Sequence, residues 1–151
     1  MKRRQFICST VAGLVVAATK PVLASQAEMI IYKDPTCGCC HAWAEAMIDA
    51  DFAVTVRDTN DLASVKQKYA IPAEMQGCHT AIVEPYYFEG HVPVAAVENV
   101  LSKRPDIAGL AVPGMPSGSL GMGNDPNASY DVFSVPRNGG KPIVILSIRP
   151  V

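Results

Sequence analysis

The sequence is poor in charge and in aromatic residues: charged side chains make up 18% of the 151 residues and aromatic ones 7%, with a single tryptophan. Beyond residues 2–4 positive charge is not clustered, and the formal net charge is −1. Nucleic-acid binding needs a basic footprint, so that class is set aside. The chain has no glycine-rich phosphate loop, no Ser-His-Asp arrangement and no paired catalytic carboxylates. Its apolar runs fall short of the roughly 20 residues that a membrane-spanning helix requires. Internal repeats and low-complexity tracts are missing as well. Histidine is scarce, at three residues.

What is present begins with a basic start, Lys2, Arg3 and Arg4, followed by an apolar run from Val11 to Ala18 and then Val22-Leu23-Ala24. This is the pattern of a cleavable export signal over residues 1–24, cut after Ala24. Arg3-Arg4-Gln5-Phe6-Ile7 resembles a twin-arginine signal, and an ordinary secretory signal also fits. The expected location is the periplasm, with no membrane insertion of the mature chain. Cys8 would leave with the signal. Four of the thirteen basic residues and none of the fourteen acidic ones lie in residues 1–24, so residues 25–151 carry a net charge of −5. Those 127 residues suffice for one domain with a real core.

Four cysteines remain, three of them within Cys37-Gly38-Cys39-Cys40 and the fourth at Cys78. In an exported protein the default for four cysteines is two structural disulfides. A bridge inside Cys37–Cys40 closes too small a loop to staple much. The three thiols follow the strand-like run Met29–Lys33 and precede a segment with apolar residues at helical spacing: Ala42, Trp43, Ala46, Met47 and Ala50. They therefore lie where a strand ends and a helix begins. Free N–H groups and the helix dipole there favour a thiolate. Thr36 is the expected N-cap.

Further along, Phe52–Asp58 reads as a second strand and Asp61–Tyr69 as a second helix, capped by Thr59 or Asn60, with Leu62, Val65 and Tyr69 inward. Thr80–Val83 and Tyr86–Glu89 read as a hairpin. Pro93 opens a third helix. Residues 113–123 are too rich in glycine and proline for a helix or a central strand. Tyr130–Val135 and Pro142–Ile148 read as a last hairpin. The order β-α-β-α-β-β-α predicts an α/β, thioredoxin-like fold: a mixed sheet with helices packed on it, extended by the Gly/Pro-rich loop and the C-terminal hairpin. In such a fold the start of the first helix faces the loop before the third strand, which here carries Cys78-His79.

Two chemistries then compete. Cys37 and Cys40 form a C-x-x-C pair suited to reversible disulfide exchange. Cys39 and Cys78 add two more thiolates, and a thiolate cluster favours Cu(I), Zn(II) or an iron–sulfur cluster. Adjacent Cys39 and Cys40 suit bridging of several Cu(I) ions better than one tetrahedral ion. Met115 and Met122 lie on the Gly/Pro-rich loop, and a thioether is a further soft ligand for Cu(I), although methionine also serves as a core filler. His41 and His79 each adjoin a cysteine and can ligate or tune a thiol. His91, between a strand and a helix, reads as a structural or capping residue. Trp43 and Met47 read as core.

The chain resembles the CopG-type copper-resistance proteins, a family of small exported bacterial proteins long described as a domain of unknown function and as metal-binding. The resemblance rests on Tyr32-Lys33-Asp34-Pro35-Thr36-Cys37-Gly38-Cys39-Cys40 with Trp43, on Cys78-His79-Thr80-Ala81, on Glu89-Gly90-His91-Val92-Pro93, and on Gly109-Leu110-Ala111-Val112-Pro113-Gly114-Met115-Pro116. It implies a thioredoxin-like fold, a periplasmic location, and a Cu(I)–thiolate site of Cys37, Cys39, Cys40 and Cys78 with Cu(I)/Cu(II) interconversion. After Met115 the family often reads Gly-Ser-Pro-Gly-Met-Glu, whereas this chain has Gly118-Ser119-Leu120-Gly121-Met122-Gly123.

Three functions are carried forward. The first is periplasmic Cu(I) binding for copper resistance or homeostasis, with metal ligands Cys37, Cys39, Cys40 and Cys78, supplemented by Met115, Met122 and His79, and with copper-handling proteins of the cell envelope as partners. The second is thiol–disulfide exchange through Cys37 and Cys40. The third is an interaction module stabilised by zinc or a cluster.

Overall fold

The computed structural model describes residues 28–150. The expected signal over residues 1–24, and Cys8 within it, lie outside the described residues.

Seven strands form one mixed sheet: β1 (Met29–Lys33), β2 (Val54–Asp58), β3 (His79–Val83), β4 (Tyr86–Gly90), β5 (Gly109–Val112), β6 (Tyr130–Val135) and β7 (Ile143–Ile148). Their order in space is β2-β1-β3-β4-β5-β6-β7. The pairs β1–β2 and β4–β5 are parallel and the remaining neighbours antiparallel. Each parallel pair needs a crossover, and each has a helix to make it. Helix α1 (Gly38–Asp49) joins β1 to β2, and α3 (Val94–Lys103) joins β4 to β5. Helix α2 (Leu62–Lys68) and a short 3-10 turn (Ala73–Met75) lead into β3.

Strand alternation sorts the core into two faces. Ile31, Ala81, Val83, Phe88, Leu110 and Val112 pack with Trp43 and Met47 of α1 and Val97 and Val100 of α3. Their strand neighbours Ile82, Tyr87 and Ala111 point the other way, onto Ile71 and Met75. The core reading of Trp43 and Met47 holds: both are fully buried. Among the described residues, no helix is long and apolar enough to cross a membrane.

The expected order of the first seven elements is realised, with local differences. Cys37, not Thr36, is the N-cap of α1, and its side chain makes no capping bond. The Thr36 hydroxyl and amide instead donate to Asp34 Oδ1, which fixes the turn out of β1. Asp61, not Thr59 or Asn60, caps α2 by accepting from the Ser64 N–H. The run Gly109–Val112, noticed in the sequence only as a motif, is a fully buried central strand.

Candidate metal centre

Strand register alone brings the reactive side chains to one end of the sheet. β1 runs toward α1 and pairs antiparallel with β3, so Lys33 lies opposite His79. The end of β1, which delivers Cys37, therefore meets the start of β3, which follows Cys78. The β3–β4 hairpin sets Thr80 opposite Glu89, which carries His91 to the same end. β5 runs parallel to β4 with Val112 beside Gly90, so the Gly/Pro-rich loop also starts there.

The four sulfurs of Cys37, Cys39, Cys40 and Cys78 form one group whose ligand atoms all lie within 4.8 Å of one another. Cys37 and Cys40 are joined in a disulfide with Cα atoms 5.3 Å apart. Cys39 and Cys78 are free thiols. Cys39 Sγ lies 3.6 Å from Cys37 Sγ and 3.8 Å from Cys78 Sγ. Cys40 is fully buried, while the other three sit partly exposed.

Beside Cys78 stand two buried imidazoles. His91 Nε2 is 3.0 Å and His79 Nδ1 3.5 Å from its sulfur. His91 Nδ1 contacts Ser119 Oγ at 2.8 Å, and Ser119 donates its own proton to the Pro116 carbonyl. His91 is thus no helix cap. The third helix is capped by Pro93, and His91 faces the thiols. Its companion, His79, packs against the Trp43 ring with centroids 4.5 Å apart. The indole N–H of Trp43 in turn donates to the Val92 carbonyl, two residues before α3. His41 stands apart: its exposed ring meets Glu45 one turn on, 3.3 Å away.

Electrostatics at this end disfavour charge. Burial and the neighbouring Cys39 push the Cys78 thiol up to about 12. Loss of water, then His91 and Lys66 nearby, lower His79 to about 3 and keep it neutral. Burial also lowers His91. Cys78, on the loop before β3, therefore rests as a neutral thiol, although it stands beside the first turn of α1. A bound cation would supply the missing positive charge, and neutral imidazoles are already in ligand form.

Below the thiols lies a buried ion pair. The Glu89 carboxylate accepts from Lys66 Nζ, from the Gly77 N–H at 2.7 Å and from the Thr80 hydroxyl at 2.6 Å. Burial pushes the Glu89 carboxyl up, and Lys66, Thr80 and Gly77 counter that. These bonds tie the residues on both sides of Cys78-His79 to the sheet.

The Gly/Pro-rich loop is fastened at two points. Gly114 N–H donates to the Gln76 carbonyl at 3.0 Å, and Gly114 pairs with Gly77. Gly121 has φ +94°, and a Cβ there would sit 2.5 Å from the Cys39 carbonyl oxygen. Each of the two methionines follows one of these glycines. Met115 is 56% and Met122 36% exposed. Neither is a core filler, and both belong to backbone anchored beside a cysteine.

Sequence reasoning brought the four cysteines and His79 together. It missed the contact of His91 with Cys78 and the bonds of Ser119, Lys66 and Glu89. The matched stretch Glu89-Gly90-His91 was the available signal for two of these.

Residues 75–122 match the model of a family described as "Protein of unknown function, DUF411". Two solved structures, named copper resistance protein CopG form 1 and form 2, superpose on the chain. Form 1 does so with a TM-score of 0.75 at 34% identity, covering 82% of this chain and 98% of that one. Form 2 gives 0.74 at 34% identity, covering 80% and 97%. The chain belongs to the CopG-type copper-resistance family. Among curated protein sequences none matches. The family match covers both Cys78 and the whole Ser117–Met122 turn, while Cys37, Cys39 and Cys40 precede it.

Proposed function

We propose that this chain is an exported, periplasmic protein that binds Cu(I) through Cys37, Cys39, Cys40 and Cys78 on a thioredoxin-like frame, in the service of copper resistance. The gathering of four sulfurs within 4.8 Å at one end of the sheet carries this reading. Soft thiolates select Cu(I) over hard cations. Met115 and Met122 offer thioethers at the rim of the same end. Partners are copper-handling proteins of the cell envelope, which meet the three half-exposed thiols. Similarity to proteins named for copper resistance adds support.

Cu(I) loading of the anaerobically reduced chain tests it. Several Cu(I) per chain, held against a competing chelator, are expected, with fewer after Cys78→Ser. A stoichiometry unchanged by that substitution removes Cys78 from the site, and failure to retain Cu(I) at all removes the function.

The Cys37–Cys40 disulfide favours a second reading that acts on the same site. Oxidation of these two thiols to the disulfide gives up two electrons and two protons and withdraws two of four sulfur ligands. Thiol–disulfide exchange would then control copper release. An exchange partner is expected to release copper as it oxidises Cys37 and Cys40. Retention of all copper in the disulfide form excludes this control.

A further inference from the structure

The four-sulfur set is incomplete while Cys37 and Cys40 are bonded to each other. A second set is untouched by that bond. Cys78 Sγ, His79 and His91 offer ligand atoms that all lie within 4.8 Å of one another. We infer that Cys78, His79 and His91 form a second metal site, of two imidazoles and one thiolate, that holds a divalent transition-metal ion when Cys37 and Cys40 are oxidised. This inference rests on the copper reading above, and deepens it by naming what the disulfide form binds.

Three observations carry it. The first is spacing. A metal with an M–S bond of about 2.3 Å and an M–N bond of about 2.0 Å sets neighbouring S and N ligands about 3.5 Å apart. His79 Nδ1 is 3.5 Å from Cys78 Sγ. His91 Nε2, at 3.0 Å, is within hydrogen-bond distance of the same sulfur and needs to retreat by about half an ångström to admit an ion. Cys39, 3.8 Å from Cys78, is the nearest further sulfur.

The second is the support behind His91. The Ser119 hydroxyl donates to the Pro116 carbonyl, so its oxygen accepts from His91 Nδ1–H. That assignment leaves the Nε2 lone pair facing Cys78. Ligating histidines characteristically donate their other ring N–H in this way, which fixes ring and tautomer. The third is the orientation of His79, which is fully buried and whose Nε2 has no hydrogen-bond partner. Nδ1, facing Cys78, is its one nitrogen with a polar neighbour.

The donor types set the ion class. Imidazole suits Zn, Cu, Ni and Fe, whereas a set of thiolates alone suits Cu(I), Zn and iron–sulfur clusters and, of the two states of copper, the monovalent one. Two histidines and a cysteine thus accept the divalent state of copper, next to a sulfur set that accepts the monovalent one. Cys78 belongs to both, so the two sites are linked through one sulfur.

The test uses the full chain carrying Cys8→Ser, Cys37→Ser and Cys40→Ser, which has neither the disulfide nor the four-sulfur set. Co(II) serves as a redox-inert probe under anaerobic conditions. One Co(II) per chain is expected, with sulfur-to-cobalt charge-transfer absorption and intense low-symmetry d–d bands. Adding His91→Gln or His79→Gln is expected to weaken binding at least tenfold. Binding without sulfur charge transfer, or binding that neither histidine substitution weakens, overturns the inference. Circular dichroism reports whether the histidine variants fold. If they do not, Zn(II) X-ray absorption on the parent variant decides: imidazole scattering from two histidines supports the site, and its absence overturns it. Cu(I) loading of the reduced wild-type chain is scored separately. If that succeeds while Co(II) binding fails, only the second site is lost. If it fails as well, the copper reading falls with it.

Discussion

The sulfur of Cys78 lies 3.8 Å from that of Cys39, across 39 positions of sequence. A tetrahedral ion with M–S bonds of about 2.3 Å places neighbouring sulfurs at about this separation. No covalent bond joins the two, which meet only as a thiol–thiol contact. Cys39 is carried by the first turn of α1, and Cys78 by the loop that Glu89 fastens through the Gly77 amide. The spacing is thus a property of the frame, and a metal arriving at the site does not have to assemble it.

Cys78 is expected to be a slow nucleophile until metal arrives. With its thiol pushed up to about 12 from 9.0, its thiolate fraction at pH 8 falls on the order of 1,000-fold below that of an ordinary cysteine. Iodoacetamide labelling of the reduced, metal-free chain, mapped by mass spectrometry, reads this directly. Labelling of Cys78 as fast as a free cysteine peptide would contradict the burial argument. Metal loading is expected to release its proton, visible as acid in a weakly buffered titration.

Gly121 is expected to matter more than Gly123. Both have positive φ, at +94° and +80°, but only Gly121 has a neighbour in the way. Gly121→Ala adds a Cβ 2.5 Å from the Cys39 carbonyl and 3.2 Å from the Trp43 nitrogen, so the loop must lift off α1. Gly123→Ala meets nothing within 4 Å and carries only the backbone strain of about 1 kcal/mol. Urea unfolding should rank Gly121→Ala as the less stable by at least 1–2 kcal/mol, with weaker metal retention. Equal effects would mean that the loop does not rest on the site.

Much of this was legible in the sequence because it is local. The cysteine spacing, the strand–turn–helix around it and the alternation of the β3–β4 hairpin all show in short windows. What was hidden depends on partners far along the chain. Lys66 reads as a solvated lysine beside the stripe Leu62, Val65 and Tyr69. It is nonetheless buried, because Glu89 meets it from β4. His91 reads as a cap because its neighbours are Gly90 and Pro93, and only strand pairing shows that it faces Cys78. β5 is four residues long and buried on both faces, so it has no alternation to read.

The Lys66–Glu89 pair is expected to be costly to break and cheap to remove whole. Glu89→Ala leaves a buried ammonium without its carboxylate and also orphans the Gly77 N–H and the Thr80 hydroxyl. Loss of one partner of a buried pair costs about 3–5 kcal/mol. Lys66→Met combined with Glu89→Gln removes both charges, keeps a carbonyl oxygen for the Gly77 N–H and sets an amide N–H against the Thr80 hydroxyl, which then accepts. Relative to Glu89→Gln alone, the double variant should recover at least half of the loss, as a urea-unfolding cycle of Lys66→Met, Glu89→Gln and the pair measures. Additive losses would show that the two side chains act independently, against their buried contact.

Acid is expected to destabilise the metal-free, reduced chain earlier than its carboxylates require. Folded His79 titrates at about 3 against 6.5 for the ordinary group, because burial against Trp43 excludes the charged ring. Between those values the unfolded chain holds the extra proton. Unfolding free energy therefore falls as pH drops through that window, by about 1.4 kcal/mol per unit for this one group. Above about pH 6.5 both forms are neutral and the contribution is fully present; below about 3 both are protonated and the loss stops growing. His91 is lowered as well and adds to the slope with the same sign. The carboxylates lowered by hydrogen bonds, Asp34, Asp61, Asp125 and Asp131, act only below their ordinary 3.8. Urea midpoints between pH 7.5 and 4.5, followed through the single Trp43, exclude the lowered carboxylates and leave the histidines with Glu89, whose raised carboxyl acts with the opposite sign. His79→Gln should be less sensitive to pH across that range than the wild type. Parallel curves for the two would mean that His79 takes up its proton in the folded chain, and the dry, neutral packing of His79 between Trp43 and Cys78 would have to be abandoned.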